Sequence, residues 1–130
     1  MLVDTDVLIW HLRGYPDATQ RLDRLPKLML SAVTYLELLQ EMRNRAELLA
    51  VQKSLALRQA ERLPLTPAIT ESAIVLMEKL ALSHGLQLGD ALIAATGLEH
   101  RLTLLTANTK HFSAGDGLQL ERFEPGEPAP

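Results

Sequence analysis

The sequence predicts one α/β domain built on a parallel sheet, and three observations carry that prediction. Short apolar runs alternate with longer helical patterns along the chain. The 130 residues are enough for one real core and too few for two independent domains. A composition of 47% hydrophobic and 22% charged residues is that of an ordinary globular protein, neither disordered nor membrane-embedded.

Each element has its own local reason. Met1 to Val3 is a first short strand, and Thr5 to Arg13 reads as a helix closed by Gly14 and the turn at Pro16. A short helix follows over 17–25. Leu28 to Leu30 is the second strand, and Ser31 is placed to cap a helix from Ala32 to about Arg45, in which Val33, Leu36, Leu39 and Met42 keep a three-residue step. A further helix is predicted over 47–61 and a weak third strand over 63–66. Pro67 suits the first turn of the next helix, where Ile69, Ala73, Leu76, Met77 and Leu80 share a face before Gly85 ends it. The helix over 89–99 has almost no polar face, as expected of one buried mid-fold. Leu102 to Thr106 is the clearest strand, and 118–123 is a candidate edge strand. The domain thus spans 1–123, and the EPGEPAP tail over 124–130 has no means of packing. There is no internal repeat or linker.

Several function classes fall away at once. With no Cys, disulfides, zinc-thiolate sites, iron-sulfur clusters and thiol nucleophiles are excluded, so any metal must be held by oxygen or imidazole. The opening lacks the basic region and uninterrupted apolar run of a signal peptide, with acids at positions 4 and 6, and no stretch approaches the roughly 18 apolar residues of a membrane span. A cytoplasmic location, with no membrane partner, is the expectation.

The acids are the informative feature. In an open parallel sheet, ligands bind beyond the carboxyl ends of the strands. Asp4 ends the first strand, Asp6 lies in the turn after it, Asp90 opens the buried helix and Asn108 follows the 102–106 strand, so the four share one edge. Glu37 lies about two turns into its helix and can reach back toward that edge. Clustered carboxylates repel and raise one another's pKa unless something neutralises them. Oxygen ligands with retained water suit Mg²⁺ or Mn²⁺, and such ions support phosphodiester cleavage by activated water.

Each acid also has a plainer explanation. Asp4 would serve as a helix cap, and Asp6 and Asp90 as first-turn acids favoured by the helix dipole. Glu37 sits among Tyr35, Leu36, Leu38 and Leu39, where burial without a partner is costly, although a solvent-facing Glu remains an alternative. Glu41, one turn further on, reads as a solvated or supporting acid. Trp10 reads as core, and His11 and His111 as RNA-binding or surface groups without a catalytic role.

The blocks VDTDVLI at the N-terminus, SAVTYLELL at 31–39, LGDALIAATG at 88–97 and LLTANTKHF at 104–112 resemble the successive motifs of PIN domains, specifically of VapC-type toxins from toxin-antitoxin pairs. The resemblance covers essentially the whole chain in order. It implies a three-layer α/β/α fold with a central parallel sheet, Mg²⁺- or Mn²⁺-dependent endoribonuclease activity, a homodimer and inhibition by a cognate VapB-like antitoxin. Asp4, Glu37 and Asp90 match the family's first three acids and are the catalytic candidates. Asp6, where the family often has Asn, is an additional metal-ligand candidate beside them, and Thr106 matches the hydroxyl residue ending the fourth main strand.

The fourth acid departs from the family pattern. Where many relatives carry Asp, this chain has Asn108 and His111, so the second metal site is in question; Asn108 still offers an amide oxygen, and Asp116 is near enough to substitute. Arg13, Arg43, Arg45, Lys53 and Lys110 are candidates for RNA phosphate contacts, with ordinary solvated charge as the alternative for each. Surplus apolar residues on the helix of Tyr35, Leu36 and Leu39 and on its successor suit a dimer surface or an antitoxin groove, and core packing explains them as well.

Three other readings share parts of this pattern. An inert PIN-fold scaffold draws on the missing fourth acid. A haloacid-dehalogenase-like phosphatase shares the Asp4-Thr5-Asp6 start but needs a later Lys and a longer chain. A receiver domain needs an acceptor Asp after the third strand, which 63–66 does not offer. The formal charge of −3 argues against nucleic acid only at first sight. Without the four clustered acids and the two Glu of the tail, ten acids stand against thirteen Lys and Arg, leaving a mildly basic body.

Overall fold

A computed structural model describes residues 1–112 and 117–125. Their order is β1 (Leu2–Val3), α1 (Thr5–Leu12), α2 (Pro16–Asp23), β2 (Met29–Ser31), α3 (Ala32–Glu41), α4 (Arg45–Leu57), β3 (Glu61–Leu63), α5 (Pro67–His84), α6 (Leu88–His100), β4 (Leu104–Thr106), a 3₁₀ turn (Thr109–His111) and β5 (Leu120–Arg122). The strands form one sheet in the order β3-β2-β1-β4-β5, every pairing parallel. The order reverses beside β1, which is where an open parallel sheet presents its ligand crevice.

Strand alternation divides the core in two. Leu2, Leu63 and Leu104 join Ile69, Ala73 and Leu76 of α5 and Ala91, Ala94 and Ala95 of α6. The residues one step along, Val3, Leu30 and Leu105, pack with Val7 and Leu8 of α1, Ala18 and Leu22 of α2, Leu38 of α3 and Val51 of α4. Helices therefore cover both faces, giving the three α/β/α layers. Burial of both faces also explains why the inner strands β1, β2 and β4 are apolar up to the hydroxyl residues that end β2 and β4, whereas the edge strands β3 and β5 carry charged residues.

Three boundaries differ from the sequence reading. The helix predicted to run to Arg45 stops at Glu41, because Met42 is extended and Asn44 caps the next helix by accepting from Glu47 N at 2.9 Å. The Glu47 side chain in turn reaches back to accept from Arg43 N at 2.8 Å, one residue before the cap, a variant of the capping box that the Asn44-x-x-Glu47 spacing suggests. The helix predicted over 47–61 ends at Leu57, where Arg58 caps it and Gln59 takes φ 52°. The third strand is Glu61–Leu63 rather than 63–66. It pairs with Met29 to Ser31, after which Pro64 has no N–H to continue the ladder and Thr66 is taken up in capping α5.

The remaining elements fall within two residues of expectation, and Gly85 closes α5 at φ 65°. No helix among the described residues is long and apolar enough to cross a membrane. Of the expected tail over 124–130, residues 126–130 lie outside those described, as does Asp116.

Candidate active site at the carboxyl edge of the sheet

The crevice beside β1 is a cleft of about 540 Å³ whose walls include Asp4, Asp6, Glu37, Asp90, Asn108 and His111. Asp4 is 6% exposed. Its Oδ1 accepts from Thr5 N at 2.8 Å, which caps α1, and its Oδ2 accepts from the Thr106 hydroxyl at 2.7 Å, which ties β1 to the end of β4. Thr106 Oγ1 also accepts from Asn108 N at 3.0 Å, fixing the turn that carries Asn108.

Glu37 reaches the edge from the second turn of α3. Thr5 donates its hydroxyl to Glu37 Oε1 at 2.7 Å and lies 3.1 Å from the buried Thr34 hydroxyl. Gly89 makes room for the carboxylate, since a Cβ there would stand 2.9 Å from Glu37 Oε2. Asp90, in the first turn of α6, lies 3.3 Å from His111 Nδ1, and His111 Nε2 stands 3.3 Å from the Asn108 amide nitrogen.

The electrostatics are those of a knot of carboxylates gathered at one edge. Burial pushes the Asp4 carboxyl up to about 8, and the Asp6 charge adds to the rise against the Thr106 and Thr5 bonds. Burial also raises Asp6, opposed by its contact with the Asp4 carboxyl and by the amides of Ala107 and Val7. Asp90 is raised by burial; nearby His111 opposes the rise, whereas Glu37 and Asp6 add to it. Asp6 Oδ1 is buried with no hydrogen-bond partner. An orphaned carboxylate oxygen is costly on its own and is what a cation would satisfy.

An all-oxygen donor set fits a hard divalent ion. No three His, Asp or Glu side chains among the described residues are already gathered into a finished cage. Magnesium does not require one, since it keeps several waters and binds through one or two carboxylates.

The chain belongs to the PIN domain family. The family model matches residues 1–118. The chain is 38% identical to the ribonuclease VapC10 of Mycobacterium tuberculosis, over 97% of this chain and 96% of that protein. Among solved structures, a toxin-antitoxin complex from Klebsiella pneumoniae is similar at a TM-score of 0.78 and 28% identity, covering 98% of each chain. VapBC2 from Rickettsia felis, bound to a promoter DNA fragment, has the same fold at a TM-score of 0.80 and 20% identity, over 95% of this chain and 98% of that one. The phosphatase and receiver readings fall with this membership.

In this PIN domain the expected acids Asp4, Asp6, Glu37 and Asp90 share one cleft with Asn108, and Thr106 lies directly behind Asp4. Of the basic candidates, only Arg13 lines that cleft, where it pairs with Glu41 at 3.5 Å. Arg43 faces the neighbouring groove and pairs with Glu47, while Arg45, Lys53 and Lys110 are exposed away from the cleft wall. His11 is structural, bridging Thr19 at 2.7 Å and Ser54 at 3.4 Å. Thr5, Gly89, Trp10 and His111, none of them a catalytic or metal-ligand candidate from the sequence, line the cleft as well. Helical spacing could have found Trp10, four residues after Asp6 on the same face.

Proposed function

We propose that this PIN domain is a divalent-metal-dependent endoribonuclease, the toxin of a toxin-antitoxin pair. The observation that carries the reading is the convergence of four carboxylates in one cleft, with Asp6 Oδ1 buried and unpartnered. The named activity of the 38%-identical relative supports the same reading, as do structural neighbours that are toxin-antitoxin complexes.

Asp4 and Asp90 would hold the principal ion, Mg²⁺ or Mn²⁺, with Asp6, Glu37 and the Asn108 amide oxygen completing the ligand set. When bound, such an ion neutralises the carboxylates and polarises water and a phosphate oxygen. The chain's own residues supply the rest. Thr106 and the Thr5 amide hold the Asp4 carboxylate in one orientation. The Thr5 hydroxyl occupies Glu37 Oε1, turning Oε2 toward Gly89 and the cleft, where it can orient the attacking water and accept its proton. Arg13 stands at the outer end of the same wall, placed to meet a backbone phosphate.

A VapB-like antitoxin and a second copy of the chain are the partners proposed. Leu36, Leu49 and Leu57 on α3 and α4 are at least half exposed, which supports a covered surface there in the assembled state. The reading is tested by incubating purified protein with RNA and Mn²⁺. Cleavage is expected in the wild type and abolished in Asp4→Asn and Asp90→Asn. Equal activity in the variants would overturn the site. An inert scaffold would show neither cleavage nor a metal-dependent shift in melting temperature.

A further inference from the structure

Thr5, Asp6, Ile9 and Trp10 of α1 line the cleft together with its C-cap Arg13, two i, i+4 stripes on one helical face. Going outward from the sheet, this face presents acid, then aromatic ring, then cation. Trp10 stands about 6 Å along the helix axis from Asp6, a separation on the scale of one nucleotide.

Trp10 is half-buried, packed against the core as the sequence suggests while part of it remains accessible. Its ring is braced by Tyr15, with centroids 4.4 Å apart at 52°, and by Phe123, edge-on at 6.2 Å. These contacts lock the indole, while the residue still contributes to the cleft wall beside the carboxylates. Arg13 follows one turn after Ile9, and its guanidinium pairs with an exposed carboxylate, Glu41 at 3.5 Å. A surface pair of that kind contributes little and can be exchanged for a phosphate.

We infer that Trp10 is a stacking platform for an unpaired base of the RNA next to the scissile phosphate, with Arg13 holding the following phosphate. This rests on the ribonuclease reading and gives its cleft a base-contacting residue, Trp10, and a phosphate-contacting one, Arg13. An indole fixed in place offers a π-face that any base can use, whereas a base inside a duplex is already stacked and cannot reach it.

Trp10 is the sole tryptophan, so its own fluorescence reports the contact. Asp90→Asn protein with Mg²⁺ is titrated with a labelled single-stranded oligoribonucleotide, a duplex of the same sequence and an abasic backbone of equal length. Trp emission is expected to change with the single strand alone, at the concentration where anisotropy reports binding. Trp10→Leu is expected to weaken single-strand binding by roughly tenfold and, in the otherwise wild-type enzyme, to raise KM more than it lowers kcat, whereas Trp10→Phe retains most of both. Trp10→Phe also guards against a folding defect in the Leu variant.

Binding by anisotropy with unchanged emission, together with equal affinity in Trp10→Leu, would overturn the inference and leave the ribonuclease reading standing. If the wild type cleaves no RNA and Asp90→Asn binds none, the ribonuclease reading itself fails. Emission that responds to a co-expressed partner chain and not to RNA would assign this wall to the partner, and would overturn the inference too.

Discussion

The Thr106 hydroxyl donates to Asp4 Oδ2 at 2.7 Å across 102 positions of sequence. Both groups are buried, and the bond joins the ends of two adjacent parallel strands. Together with the Thr5 amide on Oδ1, it sets the orientation of that carboxylate.

Removing that hydroxyl should therefore harm both the site and the fold. Thr106→Val leaves Asp4 short of one donor, with an expected cost of about 1–3 kcal/mol in stability. RNA cleavage should fall by about 10- to 100-fold, the usual effect of losing a group that orients a metal ligand. Thr106→Ser should retain both properties. Denaturant unfolding and initial rates measured side by side check this, and a Val variant with wild-type cleavage would refute it.

Stability should fall with rising pH when no metal is present. The Asp4 carboxyl is pushed up to about 8 in the folded chain, against about 4 when unfolded. Between those values the folded state binds more protons than the unfolded state, so the stability present at low pH is lost as pH rises through that window. Asp6 and Asp90 are raised as well and act in the same direction. The melting temperature in chelator should drop from about pH 5 to about pH 8. Mn²⁺ should restore it most at the upper end, where its ligands are ionised. Asp4→Asn should flatten the chelator profile, and a rising profile in the wild type would contradict the assignment.

Gly89 separates stability from function. In the first turn of α6, Ala in its place should favour the helix by about 0.5–1 kcal/mol. The added Cβ would meet Glu37 Oε2 at 2.9 Å and displace a side chain that is flexible enough to move aside. The expected outcome for Gly89→Ala is an unchanged or higher melting temperature with cleavage reduced about tenfold, because catalysis is sensitive to sub-ångström placement. Full activity would show that Glu37 does not need its present position.

Arg101 is a control away from the cleft. It closes α6 in the left-handed region at φ 54° and ψ 45°, where a side chain is strained and glycine is not. Arg101→Gly is expected to stabilise by up to about 1 kcal/mol, raising the melting temperature by a few degrees, with cleavage unchanged. A destabilised variant would show that the Arg101 side chain makes a contact worth more than the strain.

The order of elements was legible because buried parallel strands and amphipathic helices write different periods into the chain. The acids at positions 4, 6 and 90 were legible for a related reason, since they sit at strand ends and helix starts, where topology alone sends them to one edge. The break at 42–44 was missed because Met42 and Arg43 continue the helical pattern, and only the Asn44–Glu47 capping pair overrides it. The position of β3 was missed because only Leu63 of its three residues is buried, so the edge strand carries almost no apolar signal.

By itself, then, the sequence determined the α/β class, the parallel sheet and which acids lie near its carboxyl edge, all properties of local pattern and chain order. Tertiary structure alone decided which neighbours those acids have. Thr106 behind Asp4, Thr5 on Glu37, Gly89 beside it and His111 against Asp90 are contacts between separate elements. Apart from elements that meet within the chain, no spacing encodes them. Burial of Asp4 and the unpartnered oxygen of Asp6 arise in the same way, because desolvation is a property of everything packed around a group rather than of the residue itself.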